Sequence, residues 1–275
     1  MTITINKKEY PLHTLDTGAQ ELSKKRWDSI AKPLHSLGKM EDLVIQTAGI
    51  TGDANVTYDK KALIVMCADN GVVAEGVTQS EQNVTAIVSE NFLSDKATAA
   101  ILCKQTGAEI FPIDIGIAVD TKLENHKIAY GTKNMAKEPA MTREEAERAM
   151  EVGIEKVREL SEQGYKIIAT GEMGIGNTTT SSALASYFLQ EDVEKMTGRG
   201  AGLTSKALEK KIAVVRKAIA DYSPAFTDAI DALAALGGFD IAGMAGVFLG
   251  GAIYRVPIVM DGFISGTAAL TATRI

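Results

Sequence analysis

The chain has 275 residues, 45% of them hydrophobic and 23% charged, a balance that excludes a disordered chain, a collagen-like repeat and a coiled-coil rod. Its net charge of −6 and 5% aromatic content leave neither the basic footprint nor the stacking platform that nucleic-acid binding needs. This length corresponds to one or two domains of roughly 100–200 residues each.

The opening stretch, MTITINKKEYPLHTLD, has no apolar signal core. The residues before 60 read as helical and more polar, a candidate for a second, smaller lobe. ALIVMCAD (62–69) is a continuous apolar run ending in an acid, as a buried strand does. Between 82 and 105, Val84, Ile87, Val88, Phe92, Ala99, Ala100 and Leu102 recur at helical spacing and predict one or two helices. EIFPIDIGI (109–117) predicts another strand, which Pro112 moves towards an edge or a bend.

TREEAERAMEVGIEKVRELSEQG carries the clearest helix signal. Thr142 caps it, Glu145 completes a capping box, Ala146, Ala149, Ile154, Val157 and Leu160 form its apolar face, and Gly164 ends it. A short strand is expected over 166–170, then a glycine loop and a helix over 181–189. An amphipathic helix is expected over 205–222 and a last strand over 256–261. The longest apolar run, 241–253, falls short of the roughly 20 residues of a membrane helix and is rich in Gly and Ala, which suits close helix packing. Strands alternating with helices indicate an α/β fold with a mostly parallel sheet covered on both faces.

Cys67 and Cys103 make neither a disulfide framework nor a zinc cluster and read as buried, inert thiols. His13, His35 and His126 are scattered without metal-ligand spacing. No metal and no membrane association are expected, and a reducing cytoplasm is the expected compartment.

Several apolar runs finish in an acid: Asp69, Asp114, Glu172 after Gly171, and Asp261. Ligands of open parallel sheets bind outside the carboxyl ends of the strands, so these acids would line one rim. Asp69, Asp114 and Asp261 equally suit plain turns and helix caps; Glu172 does not, because Glu is not a favoured turn residue.

The loop Gly171-Glu172-Met173-Gly174-Ile175-Gly176-Asn177-Thr178-Thr179-Thr180 stands between a strand and a helix. Gly174 and Gly176 allow close backbone approach, Asn177 and Thr178 offer donors, and the helix start adds free N–H groups and a positive dipole. The loop nearly matches a P-loop, but Asn177 stands where that motif has lysine. It nearly matches a dinucleotide fingerprint, but Thr179 stands at the third glycine. Both near-misses point to a monophosphate. A carboxylate beside an anion site then needs a positive or proton-bearing centre to serve, a cationic sugar–base bond or an attacking N–H, and Glu172 is the candidate catalytic residue. Arg199 and Lys206 are candidates for added charge; Met173 and Met135 suit either a flat ring or plain core packing.

At these residues the sequence resembles the nicotinate-nucleotide–dimethylbenzimidazole phosphoribosyltransferase family. The resemblance rests on GEMGIGNTT (171–179), ADNGVVAEGV (68–77) with QNVT (82–85), DIGI (114–117), GTKNMA (131–136), GGFDIAGMAG (237–246) and VPIVMDGFIS (256–265). RWDSIAKPLHSLGKMEDL (26–43) is similar to the family's N-terminal helix and its lysine-proline turn. The match runs in order through nearly the whole chain.

The resemblance implies transfer of phosphoribose from nicotinate mononucleotide to 5,6-dimethylbenzimidazole or a related base, giving α-ribazole 5′-phosphate and nicotinate with inversion at the anomeric carbon. It implies no metal or other cofactor, and a homodimer. The implied fold is a Rossmann-like parallel sheet flanked by helices, with a smaller helical lobe built from the chain ends: 1–60 for the lobe and 61–275 for the large substrate-binding domain. Phosphate and ribose would be held by Gly174, Gly176, Asn177 and Thr178, with Gly202 and Asp261 further candidates; Ser80, Gln82 and Met173 would meet the aromatic base.

Three features depart from the family pattern. The family's proton-accepting glutamate lies in a glycine- and histidine-containing motif well downstream of DGFIS, and the residues up to Ile275 hold no match to it. A shortened chain, a variant use of Glu172, or a relative that binds nucleotide and base without reacting are the resulting expectations. His35 stands where the family usually has glycine, and Ser80 where a tyrosine is common, so the preferred base is expected to differ.

Overall fold

The computed structural model describes residues 1–94 and 96–275. The first residues form an antiparallel hairpin of β1 (Thr2–Ile5) and β2 (Lys8–Pro11), followed by two packed helices, α1 (Thr17–Ser29) and α2 (Lys39–Thr51). The hairpin is an addition to the helical reading of this stretch. Its alternation turns Ile3 and Ile5 to one side, where they join Tyr10 in the main core. His35, where the resemblance implies glycine, stands at φ +57° between α1 and α2, in the left-handed region glycine favours.

The body runs β3 (Lys61–Ala68), α3 (Val84–Asn91), α4 (Thr98–Thr106), β4 (Ala108–Gly116), β5 (Glu124–Asn125), α5 (Arg143–Glu162) and β6 (Ile167–Met173). It continues through α6 (Asn177–Leu189), α7 (Val193–Met196), α8 (Ser205–Tyr222), α9 (Ala229–Leu236) and α10 (Phe239–Tyr254) to β7 (Ile258–Val259) and α11 (Phe263–Arg274). The strands β5-β4-β3-β6-β7 form one five-stranded parallel sheet, the α/β architecture expected from the sequence. β5 pairs with β4 only at Ile113 and Asp114, so β4 is an edge at Pro112, the position proline tolerates.

Side chains of β3 alternate between two cores. Ile64, Met66 and Ala68 pack with α5 and α10; Val65 and Cys67 pack with Phe92, Ala97 and Ala100 from the α3–α4 side. α10 is buried over most of its circumference, as its almost wholly apolar composition requires. It lies against α5 so closely that a Cβ on Gly246 would come 2.0 Å from the Met150 carbonyl. The capping box of α5 forms as expected: Thr142 Oγ1 accepts from the Glu145 N–H at 3.1 Å, and Glu145 Oε2 accepts from the Thr142 N–H at 2.8 Å. Its apolar face, from Ala146 to Leu160, is buried.

Three element bounds differ from the sequence reading. β6 runs on to Met173 because β3 offers it ladder partners that far, with Met66 opposite Glu172 and Cys67 opposite Met173. Glu172 and Met173 therefore lie on a strand, not in the loop. α6 begins at Asn177, and the last strand shortens to Ile258–Val259. β3 and β6 are neighbours whose outgoing connections part to opposite faces, α3 to one and α6 to the other. That is the switch point where open parallel sheets bind ligands. Among the described residues no helix is long and apolar enough to cross a membrane.

Candidate active site

At the carboxyl end of β6 the backbone turns through Gly174, Ile175 and Gly176 into α6. Gly176 has φ +96°, which a side chain would strain. Gly174 is required for a different reason. A Cβ there would come 2.4 Å from Asp240 Oδ2 and 2.6 Å from the Ala68 carbonyl, so the turn closes only without a side chain. The Ile175 N–H donates to Thr85 Oγ1 at 3.1 Å, tying the turn to the start of α3.

Glu172 is half-buried at the end of β6 and lines a cleft of about 530 Å³ with Leu63, Val65, Phe92, Met260 and Asp261. Its Oε2 accepts from Asn177 Nδ2 at 2.5 Å, and the same nitrogen donates to Asp240 Oδ2 at 2.9 Å. Burial raises the Glu172 carboxyl to about 7, with the Asp240 charge adding to the rise, the Asn177 hydrogen bond opposing it, and Asp261 adding further. Burial likewise raises Asp240 to about 6, against hydrogen bonds from Asn177 and the Ile241 N–H. Two carboxylates thus share one amide, in surroundings that hold both well above the usual carboxylate range.

The other face of the first turn of α6 meets a cation. Lys211 on α8 is fully buried, and its Nζ donates to Thr178 Oγ1 at 2.8 Å and to the Gly198 carbonyl at 3.2 Å. Among the described residues no carboxylate pairs with it, and burial lowers its ammonium to about 8. A lone buried ammonium is costly unless an anion comes to it. Gly200 lies beside it, where a Cβ would be 3.1 Å from Thr178 Oγ1. The positive charge missing from the glycine loop is therefore supplied from a distant helix.

Sequence reasoning missed Lys211 although a signal existed. Lys211, Val214, Val215 and Ala218 share the inward stripe of α8, and a lysine on an apolar stripe is out of place. Asp240 carries a similar signal: it is the lone charge in α10. Arg199 instead braces its own loop through the Leu203 carbonyl and Ser205, and Lys206 is exposed.

Of the residues singled out in the sequence, Glu172, Gly174, Gly176, Asn177, Thr178 and Asp261 gather on this rim. Both Asn177 side-chain donors go to carboxylates rather than into open space. Gly202 accepts from Gln79 Nε2 at 2.7 Å, which draws its loop over the segment that carries Ser80. Gln82 turns towards Gly131, and among the described residues no hydrogen bond joins Ser80 or Gln82 to Glu172. Met173 packs with the α3–α4 core and Met135 is wholly buried. Asp114 braces the following loop through the Ile117 N–H, Thr121 and Lys127, and Asp69 accepts from the Ala118 N–H.

The phosphoribosyltransferase family model DBI_PRT matches residues 12–275. The nicotinate-nucleotide–dimethylbenzimidazole phosphoribosyltransferase of Acetivibrio thermocellus is 50% identical over 258 residues, covering 93% of this chain and 74% of that protein. The protein of the same name from Clostridium acetobutylicum is 49% identical over 267 residues, covering 96% of this chain and 76% of that one. The crystal structure of CobT from Thermus thermophilus superposes with a TM-score of 0.89 at 33% identity, covering 94% of this chain and 78% of that one. With these similarities spread over nearly its whole length, the chain belongs to the DBI_PRT family of phosphoribosyltransferases.

Proposed function

We propose that the chain transfers phosphoribose from nicotinate mononucleotide to 5,6-dimethylbenzimidazole or a related base, giving α-ribazole 5′-phosphate and nicotinate. The relatives it matches are named for these substrates. One observation of the site carries the reading: Lys211 bonds Thr178 while Glu172 bonds Asn177, the adjacent residue. A cation for a phosphate and an acceptor for a proton thus flank one helical turn.

The sugar phosphate lies along Gly174–Thr178, its phosphate towards Lys211 and the N–H groups at the start of α6. Gly202 closes over the ribose and Asp261 borders it. The flat base enters from the side of Ser80, Gln82 and Met173. One ring nitrogen of the base bonds to the anomeric carbon on the face opposite nicotinate. The bond from that carbon to the pyridinium nitrogen breaks, and its electron pair neutralises the ring, so nicotinate leaves without a proton. The N–H proton on the other ring nitrogen passes to Glu172. A carboxyl held near 7 by burial is well matched to this role, and a positioned base contributes typically about 10²–10⁴-fold.

The enzyme works as a homodimer in the cytoplasm, with residues 1–60 as the smaller lobe beside the substrate-binding body of 61–275. Incubation with nicotinate mononucleotide and dimethylbenzimidazole, followed by chromatography for nicotinate and α-ribazole phosphate, tests the reaction. Tight binding of both substrates without release of nicotinate would replace it with a binding function.

A further inference from the structure

We propose that Asp240 is a positioning residue for Glu172, acting through the side-chain amide of Asn177. The inference rests on the reading of Glu172 as proton acceptor. The amide nitrogen of Asn177 has two hydrogens, and one goes to each carboxylate, at 2.5 Å to Glu172 and 2.9 Å to Asp240. Ionised carboxylates only accept. Turned the other way, the Asn177 oxygen would face two acceptors at once. Asp240 therefore holds the amide with its nitrogen towards Glu172. That engages Oε2, while Oε1 has no hydrogen bond among the described residues and is left to take the proton.

The surroundings of Asp240 are shaped around this contact. Asp240 is fully buried at the start of α10 with no cation paired to it among the described residues, and its other oxygen accepts from the Ile241 N–H at 3.0 Å. Glycine occurs on both sides. A Cβ on Gly174 would come 2.4 Å from Oδ2, and one on Gly238 would come 2.6 Å from Oδ1. Asn70 is buried alongside and also favours the ionised Asp240 carboxylate, but among the described residues it is Asn177 that bridges Asp240 to Glu172. A buried, unneutralised carboxylate is costly, and what it does here is fix a catalytic side chain by an amide relay 63 residues away in sequence.

The charge of Asp240 has a second consequence. The titratable groups facing Glu172 are Asp240 on α10, Asp261 after β7 and the Cys67 thiol on β3, which burial pushes up to about 12 and keeps neutral. Asp240 has the larger effect of the two anions, and like charge disfavours ionisation of Glu172. Removing that charge lowers the proton affinity of Glu172.

The test is the pH profile of nicotinate release from saturating substrates for Asp240→Asn, Asp240→Ala and Glu172→Gln, singly and combined, with folding checked by circular dichroism. Asp240→Asn retains an oxygen for Asn177 and loses the charge; its acid limb is expected to move down by on the order of one pH unit. Asp240→Ala frees Asn177; turnover is expected to fall about 10–100-fold, as on loss of an orienting partner, with KM for nicotinate mononucleotide within about twofold. In the Glu172→Gln background neither change lowers the rate further. An unmoved acid limb in Asp240→Asn, fully additive losses, or an Asp240→Asn chain that fails to fold overturns the proposal while a slow Glu172→Gln enzyme keeps the base assignment. A Glu172→Gln enzyme with full turnover overturns the base assignment, and the proposal with it. Should Asp240→Ala alone not fold, the same-shaped Asp240→Asn decides.

Discussion

The ammonium of Lys211 reaches 2.8 Å from the hydroxyl of Thr178, across 33 residues of sequence, and nothing anionic among the described residues balances it. On the proposed reading the glycine turn and this lysine together form the phosphate end of the site, and their pairing would let a loop without a P-loop lysine attract a phosphate.

Lys211→Ala is expected to raise KM for nicotinate mononucleotide by about 10–100-fold, the 1.5–3 kcal/mol range of a hydrogen bond to a charged group, with a smaller change in KM for the base. The sign with pH follows from the lowered ammonium. Protonation is penalised in the folded chain, so stability is lowest with Lys211 charged and recovers as pH rises from about 8 towards 10.5. Phosphate binding weakens over the same interval. Initial rates and thermal melts from pH 7 to 10 on wild type and Lys211→Met measure both, and the variant's melting curve should lack that recovery.

Turnover should rise with pH through about 7 as Glu172 ionises, and Glu172→Gln should lower it by about 10²–10⁴-fold. Glu172 also bears on stability. Its folded carboxyl titrates higher than the unfolded one, so its favourable contribution is full below about 4.5 and is lost as pH rises through about 7. Glu172→Gln should therefore melt higher than wild type at pH 8 and show no such gain at pH 4.5. Calorimetry at the two pH values is the check.

Gly174→Ala places a methyl 2.4 Å from Asp240 Oδ2 and 2.6 Å from a main-chain carbonyl, neither of which has room to move. Overpacking of this kind costs about 1–3 kcal/mol. Because the displaced groups hold Glu172, turnover should fall further than stability. Comparing kcat with the urea midpoint separates the two; equal proportional losses would contradict the close-approach argument.

Gly246→Ala tests the scaffold away from the chemistry. The added methyl would sit 2.0 Å from the Met150 carbonyl, prising α10 from α5. A loss of about 1–3 kcal/mol is expected, read as a lower urea midpoint, with KM for both substrates unchanged in the fraction that remains folded.

The sequence alone determined what local periodicity and turn chemistry encode. The parallel α/β plan, the capping box of Thr142 and Glu145, and the glycine turn after a strand all follow from neighbours within a few positions. Even the proline in β4 announced its edge. The chemistry of the glycine loop, joined by the motif resemblance, singled out Glu172, Asn177 and Thr178, which lie together at one rim.

Tertiary structure alone decided what those residues touch. That Glu172 ends a strand follows from β3 supplying ladder partners as far as Cys67, and that Asn177 bridges two carboxylates follows from where α10 begins. Lys211 and Asp240 lie on helices whose other inward residues are apolar, so a helical pattern records them as exceptions without naming a partner. Their meaning comes from contacts made across 33 and 63 residues, and such contacts are set by how sheet and helices pack, which leaves no period in the chain to read.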